Sequence, residues 1–129
     1  MRRIGRCAVL GAALAGLLAA HLARAGPEVP ATNPLSGDPA AIREGESWFH
    51  AVCSFCHGPR AEGTGRGGGP DLRVFNKGFR KFVETVKNGR DVPGRAQKMP
   101  AWRGVLPDDR IYQIGAYLET LAGNGANWR

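Results

Sequence analysis

Apolar residues recur at helical spacing in three stretches of this 129-residue chain. In the first, Ile42, Gly45, Phe49, Val52, Cys53 and Cys56 follow at spacings of three, four and seven, which puts them on one face of a helix. Asp38-Pro39 marks its start. An aspartate accepts from the free amides of a first turn, and proline fits the first helical position because no N–H is needed there. The second stretch is KGFRKFVETVKNG, residues 77–89. Phe79, Phe82, Val83 and Val86 form its apolar stripe, and Asn88-Gly89 its stop. The third runs from Pro107 through PDDRIYQIGAYLETLAG. Ile111, Ile114, Tyr117, Leu118 and Leu121 make its stripe; Asp108 and Asp109 suit its positive end, and Gly123 its exit. Residues 58–72 and 90–104 between these helices are rich in glycine and proline and show no period. No stretch alternates as a strand would, so the pattern predicts an all-α chain.

The N-terminus has a different character. Arg2, Arg3 and Arg6 precede an apolar run over residues 7–20, and Ala23-Arg24-Ala25 offers a small-residue cleavage site. This is the make-up of a secretory signal, predicted over residues 1–25. The run is short against the roughly 20 residues that span a bilayer, so no stable membrane insertion is expected after cleavage. Residues 26–37, with Pro27, Pro30 and Pro34, read as an extended arm. Residues 38–123 then form the folded domain and residues 124–129 a C-terminal tail. Losing Arg2, Arg3, Arg6 and Arg24 takes the formal charge from +7 to +3, too mild to argue for nucleic acid. The basic residues that remain are uneven. Nine fall between Arg73 and Arg103, opposed there by Glu84 and Asp91 alone.

The candidate chemistry lies in "CSFCH", residues 53–57. A disulfide between Cys53 and Cys56 would close almost no loop. Structural zinc wants four ligands, and beyond Cys53, Cys56 and His57 the exported chain offers only His50, on or near the same helix. A redox dithiol of this spacing belongs in a βαβ setting. The glycine-rich loop lacks the Gly-Lys-Ser/Thr ending of a phosphate loop. C-x-x-C-H remains, the attachment signature of c-type haem. Positions i and i+3 at a helix end bring two sulfurs to one haem edge, and the next residue, His57, projects a nitrogen at the iron. The exported chain has one methionine, Met99, in an irregular loop where Pro100 disfavours helix. It is the candidate second axial ligand. His50 is the rival, three residues before Cys53 and badly placed to reach the opposite haem face. Iron held by both His57 and Met99 would have no open position, would reorganise little on oxidation and would have a raised potential. Those properties suit electron transfer.

These residues resemble the class I cytochromes c. Gly45, Phe49 and Cys53 match the spacing of glycine, aromatic and first cysteine in that family, and Gly69-Pro70-Asp71-Leu72 matches its G-P-x-L turn. The resemblance implies N- and C-terminal helices crossing around one covalently bound haem c, with Tyr117 covering the glycine at the crossing. It implies that the Pro70 carbonyl accepts from His57, and it puts Pro70 and Leu72 among the cofactor-binding residues beside Cys53, Cys56, His57 and Met99. It also implies an electron carrier in the periplasm rather than an enzyme. Residues 98–123, with Asn127-Trp128-Arg129, are similar to cytochromes that serve periplasmic quinoprotein alcohol dehydrogenases. That implies such a dehydrogenase as donor and a terminal oxidase as acceptor. Acidic redox partners would be steered by Lys77, Arg80, Lys81, Lys98 and Arg103 if these rim the haem edge. Two other classes compete: a haem module of a larger dehydrogenase complex, and a small haem peroxidase or ligand-binding protein, which would need Met99 off the iron.

Overall fold

The structure is a computed structural model that describes residues 28–129; the expected signal segment lies outside them. Four helices make the frame: α1 (Pro39–Val52), α2 (Ser54–His57), α3 (Phe79–Asn88) and α4 (Asp108–Thr120). Among the described residues the extended pairing is a single antiparallel bridge between Arg90 and Met99. The all-α expectation is met.

The Asp38 side chain accepts from the amides of Ala40 at 2.8 Å and Ala41 at 3.2 Å, which fixes the start of α1. The first helix does not continue through Cys56 as its apolar spacing suggests. Cys53 N closes α1 on Phe49 O, and the amides of Cys56 and His57 both then turn to Cys53 O, at 3.1 and 3.0 Å. The Ser54 hydroxyl donates to the His50 carbonyl at 2.8 Å. The two cysteines therefore straddle a break and do not ride one continuous face.

The core joins Phe49 of α1, Phe79, Phe82, Val83 and Val86 of α3, and Ile111, Ile114, Tyr117 and Leu118 of α4. Helices α1 and α4 form the principal helix pair. Their closest approach is at Gly45, where any Cβ would overlap the Gln113 carbonyl and stand 3.0 Å from Ile114 N. Hydrogen is the one substituent that fits there. The atoms opposite Gly45 belong to the α4 backbone. Tyr117, expected to cover this glycine, lies one turn further along, its ring 5.6 Å from that of Phe49 and 6.3 Å from that of His50.

Helix boundaries also move. α3 starts at Phe79 instead of Lys77, because Gly78 sits at φ +81° and serves as its cap. Pro107 precedes α4 as its cap, with its carbonyl accepting from Arg110 N and Ile111 N. Lys87 at the end of α3 grips Asp108 at the start of α4 at 2.7 Å.

Neither flanking segment hangs free. The expected arm turns at Asn33: Ser36 N donates to Asn33 O, and the buried Asn33 amide donates to Tyr112 O on α4 at 2.9 Å. The tail returns to the start of α3. Gly78 N donates to Asn127 O, Phe79 N to Trp128 O and Asn127 N to Phe75 O, while the Trp128 side chain is 9 % exposed. Residues 33–36 and 123–129 thus hydrogen-bond to the helical body. Proline content and lack of period described the local backbone; long-range hydrogen bonds decided where it lies.

Candidate functional site

One cavity of about 560 Å³ opens between the α1–α2 break, α3 and the loop that follows it. Cys53, Cys56, His57, Pro70, Leu72 and Met99 all line it. The six residues singled out in the sequence are spread over 47 positions and come together on this one surface. The rest of the wall is largely apolar, including Phe49, Val52, Phe75, Phe82, Trp102 and Leu118.

Each group is held by identifiable local structure. Cys53 and Cys56 carry free thiols. Burial, and then the neighbouring Cys56, push the Cys53 thiol up to about 12, so at neutral pH it stays protonated and a weak nucleophile. His57 is buried at the end of α2, and burial lowers its pKa, with the Pro70 hydrogen bond opposing. Its Nδ1 is 2.9 Å from the Pro70 carbonyl. A carbonyl can only accept, so Nδ1 carries the proton and donates, leaving the Nε2 lone pair available. The turn that presents Pro70 needs glycine before it. A Cβ on Gly69 would come within 2.7 Å of Cys56 O and 2.8 Å of His57 Nδ1.

Met99 arrives differently. Arg90 N donates to Met99 O and Met99 N to Arg90 O, both at 2.9 Å, which closes the loop of residues 91–98. Trp102 N then donates to Val86 O at 3.0 Å and ties the chain back to α3. A methionine in an aperiodic segment is thereby fixed at the cavity wall, half-buried. His50, the rival ligand, is exposed and does not line the cavity.

Lys77, Lys81, Arg90, Arg95 and Lys98 line the same cavity, with Glu84 the one acidic residue among its lining. Lys81 pairs with Glu84 at 3.1 Å and Lys98 with Asp91 at 2.5 Å. Both pairs are exposed and worth little on their own. The expected rim is corrected at two positions. Arg80 is turned to Glu28 at 3.1 Å and to Val29 O, and Arg103 donates to Lys87 O. Neither lines the cavity; Arg90 and Arg95 stand there instead. Charge counting along a segment cannot tell which side of it a long side chain takes. Phe75, which lines the cavity, was also missed, since it lies in an irregular segment without a period. A bulky aromatic stranded among polar residues was the available signal.

The donor set fits covalent haem. Two thiols, an imidazole with its outer nitrogen protonated and its inner lone pair available, and a thioether share one apolar-walled cavity. Pockets of roughly 300–1,000 Å³ hold ligands of this class.

Comparison with known proteins agrees. The family model described as "Cytochrome C oxidase, cbb3-type, subunit III" matches residues 40–118. A cbb3-type cytochrome c oxidase subunit FixP of Bradyrhizobium sp. (strain ORS 278) is 32% identical over 83 residues, which is 61% of this chain and 27% of that protein. The chain thus spans about a quarter of the length of that relative. Cytochrome CL of Methylophaga aminisulfidivorans MPT superposes with a TM-score of 0.58 at 26% identity, covering 79% of this chain and 72% of that one. The quinohemoprotein alcohol dehydrogenase ADHIIG of Pseudomonas putida HK5 superposes at 0.55 with 29% identity, over 76% of this chain and 14% of the enzyme.

Proposed function

Because this chain belongs to the cytochrome c family of the cbb3-type subunit III model, we propose that it is a periplasmic carrier of single electrons through one haem c. Residues 1–25 act as the export signal, and the haem is joined outside the cytoplasm. The observation that carries the reading is the convergence of Cys53, Cys56, His57 and Met99 on one cavity. Cys53 and Cys56 would hold the group by two thioethers, and His57 and Met99 would ligate its iron. The bound haem supplies an iron that changes oxidation state by one electron. The protein's part is to keep that change small in structural terms. The Pro70 carbonyl fixes the His57 ring and its tautomer. The Arg90–Met99 bridge fixes the thioether. The apolar wall excludes water.

The donor in this proposal is a quinoprotein alcohol dehydrogenase and the acceptor a terminal oxidase. Likeness to cytochrome CL and to part of a quinohemoprotein alcohol dehydrogenase supports the first. Relatives named as cbb3-type oxidase subunits support the second. The basic cavity lining, where Arg90 and Arg95 carry no salt bridge among the described residues, suits acidic partners. A second reading, that the chain serves as the haem module of a larger dehydrogenase, is favoured by its match to 14% of that enzyme.

The test begins with intact mass: the exported protein should be heavier by one haem, and acid–acetone should not extract the pigment. Met99→Ala should then lower the midpoint potential and admit carbon monoxide. Two free thiols in protein made alongside haem-attachment machinery would refute the reading. Ready ligand binding by the wild type would favour a ligand-binding protein instead.

A further inference from the structure

The tail, residues 124–129, forms the outer backing of the cavity wall. Trp128 packs its indole 5.1 Å from the ring of Phe75 and 5.3 Å from that of Phe82, centroid to centroid. Phe75 and Phe82 line the cavity; Trp128 does not. The indole is therefore a second layer, one aromatic ring behind the surface that the haem would meet. Backbone bonds lock it there: Gly78 N to Asn127 O at 3.1 Å, Phe79 N to Trp128 O at 3.0 Å, and Asn127 N to Phe75 O at 2.9 Å. Further back along the same segment, Gly123 N donates to Arg73 O at 2.8 Å. Trp128 Nε1 is buried with no hydrogen-bond partner among the described residues. Among the described residues the ring is held by packing, and its N–H faces no protein acceptor, although a buried N–H normally finds one.

We infer that Trp128 is a positioning residue for the haem: it presses Phe75 and Phe82 into the cavity wall, keeps water out of that wall, and so raises the reduction potential of the bound group. The inference rests on the proposed reading of the cavity as a haem pocket. Its sign follows from charge. Oxidised iron carries one more positive charge than reduced iron, and water stabilises the more charged form. A wall that stays closed and apolar favours the reduced form. When the second layer is removed, the two phenylalanines lose the contact that holds their rings, and water gains access from the tail side.

The experiment uses the haem-loaded protein and reads its midpoint potential by redox titration, with far-UV circular dichroism confirming that each variant is folded at the titration temperature. Trp128→Leu and Trp128→Ala should both lower the potential, alanine more. Trp128→Phe keeps a ring and drops only the unpartnered N–H, so it should hold the wild-type potential. Phe75→Leu combined with Trp128→Leu should shift the potential by less than the sum of the single shifts, because the two act through one contact. If Trp128→Ala yields no loaded protein, the leucine variant decides. A melting temperature that falls while the potential stays at the wild-type value would overturn the inference and leave Trp128 as ordinary core. So would a fall in Trp128→Phe as large as in Trp128→Leu. Failure of the carrier reading is separately visible, since the wild type would then carry no covalent haem.

Discussion

Gly45→Ala should destabilise the protein, although alanine is the better helix former by about 1 kcal/mol. The reason is the crossing of α1 and α4. A methyl group at Gly45 overlaps the Gln113 carbonyl and stands 3.0 Å from Ile114 N. All these atoms are α4 backbone, so none can swing aside as a side chain would. Axes of packed helices settle at roughly 8–10 Å according to the side chains between them. Restoring ordinary contact here requires the pair to part by about 1 Å or more, on the scale of that range. The separation would loosen Phe49 against Ile114 and Leu118, all three essentially unexposed. Overpacking of this kind costs about 1–3 kcal/mol, at times more. A backbone overlap this close belongs in the upper part of that range, about 2–3 kcal/mol, so after the helix-propensity gain the net loss should be about 1–2 kcal/mol for alanine and larger for Gly45→Val. A domain of this size loses about 4–8 °C of melting temperature per kcal/mol. Thermal unfolding of the loaded protein by far-UV circular dichroism should therefore show a fall of about 4–16 °C. Gly104→Ala is the control. Nothing lies within 4 Å of its Cβ, so it should be neutral or slightly stabilising. A melting temperature for Gly45→Ala at or above wild type would refute the close crossing.

Three further outcomes follow from the same structure. Gly69→Ala drives a methyl to 2.7 Å from Cys56 O and 2.8 Å from His57 Nδ1; the haem-to-polypeptide ratio of exported protein should fall, and wild-type loading would contradict the account of the Pro70 turn. Arg95→Glu should slow reduction by a candidate quinoprotein alcohol dehydrogenase in stopped flow, while Asp109→Lys, away from the cavity, should change little. Because screening sets in over about 10 Å at 0.1 M salt, the wild-type rate should drop across a salt series, and a flat response would remove the docking role from the basic lining. Glu119 is the pH prediction: burial raises its carboxyl above the ordinary 4.5 despite hydrogen bonds from Ser36 and Asn33. A raised folded pKa means stability that is complete below 4.5 and lost as pH rises through the folded value. Glu119→Gln removes the charge and keeps an acceptor for Ser36, so its urea midpoint should gain on wild type between pH 4.5 and 7; a constant gap would contradict this.

The helices and the chemical signature were legible in the sequence because both depend on residues close together in the chain. Asp38-Pro39 starts α1, the stripes of α3 and α4 are buried as their spacing predicts except for Leu121, which caps α4 and is half-buried, and Cys53, Cys56 and His57 fall within five positions. Met99 could be singled out because it is the one methionine after Met1 and lies in a loop. The tertiary structure decided what depends on distant parts of the chain. Gly45 meets the backbone of Gln113 at the helix crossing, because the crossing is set by whole interfaces. Arg80 and Arg103 turn away from the cavity while Arg90 and Arg95 line it, because long side chains choose among acceptors brought near by folding. Trp128 sits behind the cavity wall because backbone groups of residues 75–79, some fifty positions from it, hydrogen-bond to Asn127 and Trp128. Local spacing encodes turns and faces; it carries no information about which remote amide will satisfy a given carbonyl.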